Sequence, residues 1–172
     1  MYELGQVAGL RITVKPSALL GTLLLWALLG AIARWLGLAL PQALAAGLAA
    51  TVLHWLSDLI HHLGHAWAAR RTGYPMLGVC FWGVLGSSIY PRDEPPLPAA
   101  VHIRRALGGP LASLLLAGLA GLATLLIGPS GGVAWWVALF CLFENLCINS
   151  LQALLPLGFN DGATLLYWWR RR

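Results

Sequence analysis

The sequence predicts an α-helical polytopic membrane protein of about four transmembrane helices, with a short N-terminal strand and a small β-hairpin or re-entrant element between helices two and three. Three observations predict it. Of the 172 residues, 59% are hydrophobic and only 10% are charged, and the mean hydropathy of +0.74 lies outside the range of water-soluble domains. Apolar stretches long enough to cross about 30 Å of hydrocarbon, roughly 20 residues at about 1.5 Å per residue, recur along the whole chain. The basic residues are mostly Arg set at the edges of those stretches, so the formal charge of +5 marks membrane margins and gives no reason to expect a nucleic-acid partner. A chain of this length makes one membrane-embedded domain, 1–172.

The elements follow in order. Gly9 to Lys15 alternates apolar and polar side chains like a half-buried strand, and Pro16 and Ser17 open the first span, about 17–38, which Pro41 is expected to end. Arg34 lies in its last turns and is expected to snorkel to the interface. The second span, about 43–69, carries His54, Ser57, Asp58, His61, His62 and His65, a heavy polar load at hydrocarbon depth. Hydropathy drops from Arg70 to Arg105; within this stretch Met76–Tyr90 is rich in β-branched, aromatic and Gly residues, and Pro91–Pro98 reads as a loop. The third span, about 106–127, is rich in Gly, Ala and Ser, which let membrane helices approach closely. Gly128-Pro129-Ser130-Gly131 is a turn, and the fourth span, about 132–155, places Glu144, Asn145, Asn149 and Gln152 in its second half.

Charge sets the orientation. Arg11, Lys15, Arg70, Arg71, Arg92, Arg104, Arg105 and Arg170 to Arg172 fall on one side against Arg34 on the other, so an integral membrane protein with both termini cytoplasmic is expected, most simply in the plasma membrane. Trp135, Trp136, Trp168 and Trp169 read as interfacial residues. The N-terminus has no basic region leading directly into a short apolar core and cleavage site, so the first span is expected to stay in the mature chain. Cys80, Cys141 and Cys147 form no C-x-x-C pair and read as buried apolar residues, and His102, in the Arg-rich loop, reads as solvated or headgroup-facing.

The chemistry concentrates in the second span. His61 and His65, four residues apart, project from one helix face and can share a metal ion, and His54 and Asp58 continue the stripe. The alternative is a satisfied polar seam between helices. Far along the chain, Pro156-Leu157-Gly158-Phe159-Asn160-Asp161-Gly162 breaks an apolar helix and ends on a carboxylate. The inferred orientation brings Asp161 to the depth of the His pair. Two imidazoles and one carboxylate with a fourth position open is the arrangement of a catalytic zinc, and one Zn2+ is expected at His61, His65 and Asp161. Glu144 has no evident partner.

Leu59 to Arg71, with His61-His62-Leu63-Gly64-His65-Ala66 at its centre, resembles the H-E-x-G-H segment of the site-2 protease family of intramembrane zinc metallopeptidases. In order along the chain, Gly9 to Ser17 resembles its entry strand, Gly109-Pro110-Leu111-Ala112-Ser113 its Gly-Pro-x-x-Asn turn, and Pro156 to Gly162 its Asn-x-x-Pro-x-x-x-x-Asp-Gly motif. The resemblance implies a metallopeptidase that acts in the bilayer on transmembrane segments of a substrate or client protein.

Three positions depart from the family pattern: His62 stands where the catalytic Glu is expected, Ser113 where the turn has Asn, and Ala153 where Asn precedes the Pro. His62 is thus the candidate catalytic residue, a neutral base that becomes a cation beside a dication where an anionic base is usual. Asp58, one turn earlier, is expected to be able to hydrogen-bond it, and Asn149, one turn before Ala153, to help bind an extended substrate. Activity stays open on these grounds. The competing readings are a pseudoprotease that binds without turnover, and a His-rich metal-transporting or haem-binding protein.

Overall fold

The computed structural model describes residues 1–171. Four strands and five helices run β1 (Tyr2–Val7), β2 (Leu10–Val14), α1 (Pro16–Trp35), α2 (Leu40–Arg71), β3 (Gly78–Trp82), β4 (Leu85–Ile89), α3 (Ala99–Ile127), α4 (Val133–Phe143) and α5 (Asp161–Trp169). The segments Pro16–Trp35, Leu40–Arg71, Ala99–Ile127 and Val133–Leu154 are long and apolar enough to cross a membrane. Leu side chains along them, such as Leu115, Leu119, Leu125 and Leu126, face outward, which water would penalise and lipid does not.

The strands form one sheet in the order β1-β2-β3-β4. The expected strand and hairpin are both present, and they join: β2 pairs parallel with β3, Arg11 opposite Gly78 and Val14 opposite Phe81, with α1 and α2 as the crossover. β1 was not legible in the sequence, because all six of its residues are exposed and its short alternation at Tyr2, Glu3 and Leu4 breaks at Gly5. One sheet face buries Leu10, Ile12, Val79 and Phe81 against Ala66 and Ala69 of α2. The hairpin tip docks on α1, where Gly83 N–H donates to Ser17 Oγ at 3.1 Å.

The helices differ from expectation at their ends. Pro41 does not end the first span but sits in the first turn of α2, where a missing N–H costs nothing. Arg34 turns back to the Leu38 carbonyl at 3.2 Å. α3 begins at Ala99, seven residues before 106, because Ile103 and Arg105, which read as loop, are buried. The fourth span is not uniform: α4 passes at Glu144–Ser150 into a π-helix and then a 3-10 turn over Leu151–Leu154. Side chains drive that change, with Asn145 Nδ2 donating to the Cys141 carbonyl at 2.9 Å and Ser150 Oγ to the Asn145 carbonyl at 2.6 Å. Cys80 and Cys141 are buried as expected, whereas Cys147 is half-buried.

α2 and α3 meet backbone to backbone. A Cβ on Gly64 would lie 2.3 Å from the Gly108 carbonyl oxygen, and one on Gly108 would lie 2.4 Å from that of Gly64. This crossing brings Gly109 and Ser113 of α3 against the His61–His65 turn of α2.

Candidate metal centre

His61 and His65 point their Nε2 atoms at each other, 3.0 Å apart. Asp161, the first residue of α5, sets Oδ2 at 3.2 Å from His61 Nε2 and Oδ1 at 3.4 Å from His65 Nε2. A divalent ion with ligand bonds of about 2.0–2.1 Å in tetrahedral geometry has donor atoms about 3.3 Å apart, so these three donors fit one such ion. Distance alone also groups the ring nitrogens of His61, His62 and His65 within 4.8 Å, but Asp161 lies closer to the pair than that limit.

The tautomers agree with this fit. His65 Nδ1 lies 2.8 Å from the Arg105 carbonyl, and a carbonyl only accepts, so Nδ1 carries the proton and Nε2 presents its lone pair. The Gly109 N–H is 3.2 Å from the same Nδ1, a contact a protonated nitrogen does not accept. His61 Nδ1 lies 3.0 Å from Ser113 Oγ, and Ser113 is fully buried. Ser113 thus occupies an outer position behind a histidine, where it orients the ring. Gly109 is required for space: a Cβ there would fall 2.3 Å from His65 Nε2 and 2.6 Å from His61 Nε2.

Asp161 is delivered by a local scaffold. Asn160 caps α5, its Oδ1 accepting from Ala163 N–H and Leu157 N–H at 3.1 Å each, while its Nδ2 donates to the carbonyls of Gln152 at 2.9 Å and Leu155 at 2.7 Å. A Cβ on Gly162 would strike the Leu155 carbonyl oxygen at 2.5 Å. Gln152 Nε2 donates to Asp161 Oδ2 at 2.7 Å. Burial pushes the Asp161 carboxyl up, but its contacts with His61 and His65 outweigh that and hold it below the ordinary carboxylate range. Gln152 was legible only as part of an amide stripe; its bond to Asp161 needs the 3-10 turn.

His62 is buried on the next position of α2, and neither of its ring nitrogens has a hydrogen-bond partner. Asp58 does not orient it as expected: Oδ1 is 3.9 Å from His62 Nε2, beyond hydrogen-bond reach. The backbone of β4 covers both, since a Cβ on Gly86 would lie 2.3 Å from His62 Nε2 and 2.5 Å from Asp58 Oδ2. Asn149 Nδ2 is buried without a partner. His54 leaves the stripe and engages Glu144, Nδ1 to Oε1 at 2.8 Å, and the Val84 carbonyl at 3.0 Å. Glu144 therefore has a partner that sequence alone did not reveal. Asn145 is fully buried and donates to Ser57 Oγ at 2.9 Å.

His102 stays part-exposed and stacks on Trp168, ring centroids 4.0 Å apart. Arg105 is not a margin charge: its guanidinium is buried, donating to Glu94 at 2.5 and 3.0 Å and to the Tyr74 carbonyl at 2.6 Å. Those hydrogen bonds hold the Glu94 carboxyl below its usual value, and burial pushes the nearby Tyr90 phenol up to about 12. A cavity of about 270 Å³ is lined by His65, Asp161, Tyr90, Arg105, Glu94 and His102 among others.

No family model matches the chain. The protein named "Putative zinc metalloprotease Rip3" in Mycobacterium tuberculosis, in two strains, is 33% identical over 183 residues covering 98% of this chain and 44% of that protein. The chain therefore spans less than half the length of the curated relatives it matches. The solved structure of the site-2 protease from Methanocaldococcus jannaschii superimposes with a TM-score of 0.65 at 18% identity, covering 96% of this chain and 69% of that one. The chain is thus similar along nearly its whole length to a putative zinc metalloprotease and shares the fold of a site-2 protease.

Proposed function

We propose that the protein is a zinc-centred intramembrane metallopeptidase homologue that engages transmembrane segments of other membrane proteins, with His61, His65 and Asp161 holding one Zn2+. The observation that carries this reading is the convergence of two imidazole nitrogens and a carboxylate within 3.0–3.4 Å, backed by Ser113 and the Arg105 carbonyl. A zinc ion held by these residues would supply Lewis acidity toward a peptide carbonyl and a water molecule. The chain's own residues do the rest. Ser113 and Arg105 hold the rings in register, Gln152 holds the carboxylate, and the apolar helices keep bulk water from the site.

His62 is the proposed catalytic residue, the group that takes and returns a proton at its ring nitrogen. Its burial and unpartnered nitrogens leave it free to do so. A binding-only pseudoprotease is the second reading, favoured by one observation: Asp58 stands 3.9 Å from His62, so it makes no hydrogen bond that would orient the imidazole as a base. A metal-transporting or haem-binding role has less support, because the donors converge on one point and His54 is engaged by Glu144. The chain acts as one domain, 1–172, in a bilayer. Its Arg distribution supports cytoplasmic termini and a plasma-membrane location, and Asn149, whose Nδ2 is buried without a partner, is proposed to bind substrate backbone.

Zinc analysis of the detergent-purified protein, with cleavage of a transmembrane peptide by wild type, His62→Glu, His65→Ala and Asp161→Ala, tests these roles together. Cleavage by wild type that His65→Ala abolishes makes His62 a working base. Zinc binding with cleavage only in His62→Glu makes the natural protein a pseudoprotease. Absence of zinc from wild type sinks both.

A further inference from the structure

Arg105 links two parts of the molecule that the proposed reaction does not otherwise connect. Its backbone carbonyl accepts the His65 Nδ1 proton at 2.8 Å, while its guanidinium, 7% exposed, is gripped by both oxygens of Glu94 and lies 4.3 Å over the Tyr90 ring. Glu94 belongs to the Pro91–Pro98 segment, where Arg92, Asp93, Pro95, Pro96 and Pro98 include no buried side chain, and Glu94 and Leu97 are the residues that turn inward. Proline lacks the N–H that would tie such a loop down through its backbone. Side chains must hold it, and a bidentate carboxylate–guanidinium pair is the strongest neutralised contact available to do so. The cavity of about 270 Å³ is lined by both His65 and Asp161 of the candidate site and by Glu94 and His102.

We propose that the Glu94–Arg105 pair is a latch: closed, it holds the 91–98 loop against this cavity and keeps the Arg105 carbonyl on His65; open, it admits solutes to the cavity and frees the His65 ring. Arg105 is then a positioning residue for His65, and Glu94 is the exposed end through which the loop sets access. The consequence for metal rests on the zinc reading above; the consequence for access does not. Glu94 is the weak end of the pair because water reaches it, whereas Arg105 left unpaired inside the fold bears the cost of a buried charge. The closed state therefore dominates at rest.

The test uses the full chain in detergent carrying Thr164→Cys, a cavity-lining position, with labelling by a cationic thiol reagent followed by peptide mass mapping. Removing the Glu94 charge disfavours a cationic reagent electrostatically, so faster labelling cannot come from charge alone. Glu94→Gln is expected to raise the labelling rate roughly tenfold and to speed zinc transfer to a soluble chelator by a similar factor. Equal labelling rates overturn the latch, as does faster labelling with unchanged zinc transfer for its hold on His65. Glu94→Asp, which keeps the charge and shortens the reach, provides the same comparison should Glu94→Gln not fold. A chain that carries no zinc defeats the metal reading and leaves the labelling comparison to decide the latch.

Discussion

At the scale of single residues, the site depends on atoms that are absent as much as on those present. Gly109 leaves room for both imidazoles, and a Cβ would meet His65 Nε2 at 2.3 Å; Gly109→Ala should lower zinc affinity by more than about tenfold, read by competition with a coloured chelator while circular dichroism stays helical. Gln152→Ala removes the 2.7 Å bond to Asp161 and should weaken zinc by about 10- to 100-fold, the usual effect of losing an outer hydrogen bond. Glu94 supplies a pH prediction. Its carboxyl is lowered below 4.5, first by the Arg105 hydrogen bonds and also by His102. A depressed carboxylate contributes at and above its ordinary value and is lost as pH falls through the depressed one. The ratio of Thr164→Cys labelling rates with and without Glu94→Gln should hold steady from neutral pH to about 4.5 and fall toward one below it.

At the scale of elements, the Gly64–Gly108 crossing and the turn before α5 decide whether the ligands meet. Gly64→Ala drives a Cβ to within 2.3 Å of a backbone oxygen, which has no rotamer to yield. It should cost about 1–3 kcal/mol, measured by thermal unfolding in detergent. Asn160→Ala removes the cap of α5 and the clamp on the Gln152 and Leu155 carbonyls. The cap alone is worth about 1 kcal/mol, so zinc content should fall even where melting moves little. His54 and Glu144 tie α2 to the start of the π-helix, and the Val84 carbonyl adds the hairpin tip to the same joint.

At the scale of the whole molecule, the proposed metal ligands come from α2 and α5, so an ion bound there would bridge elements far apart in the sequence. With free zinc at about a hundred times its dissociation constant, linkage stabilises the fold by about 2.7 kcal/mol. Stripping zinc with a chelator should lower the melting temperature by roughly 5–10 °C, and Asp161→Ala should remove that difference. An unchanged melt on chelation would separate α5 from any metal bridge.

The sequence by itself determined the membrane class, the four spans, the hairpin and the pairing of His61 with His65 on one helix face, because hydropathy over about 20 residues and i, i+4 spacing are local signals. It also carried, in order, the motifs that resemble those of the site-2 protease family. Tertiary structure alone decided what each polar side chain faces. The Arg105 that read as a margin charge is buried because a carboxylate from a Pro-rich loop meets it; Glu144 finds His54 ninety positions away; and Asp58 stops short of His62 because the hydrogen-bond distance, unlike the helical spacing, is set by rotamers packed under Gly86. Partners across helices depend on how backbones cross, and no stretch of sequence contains that angle.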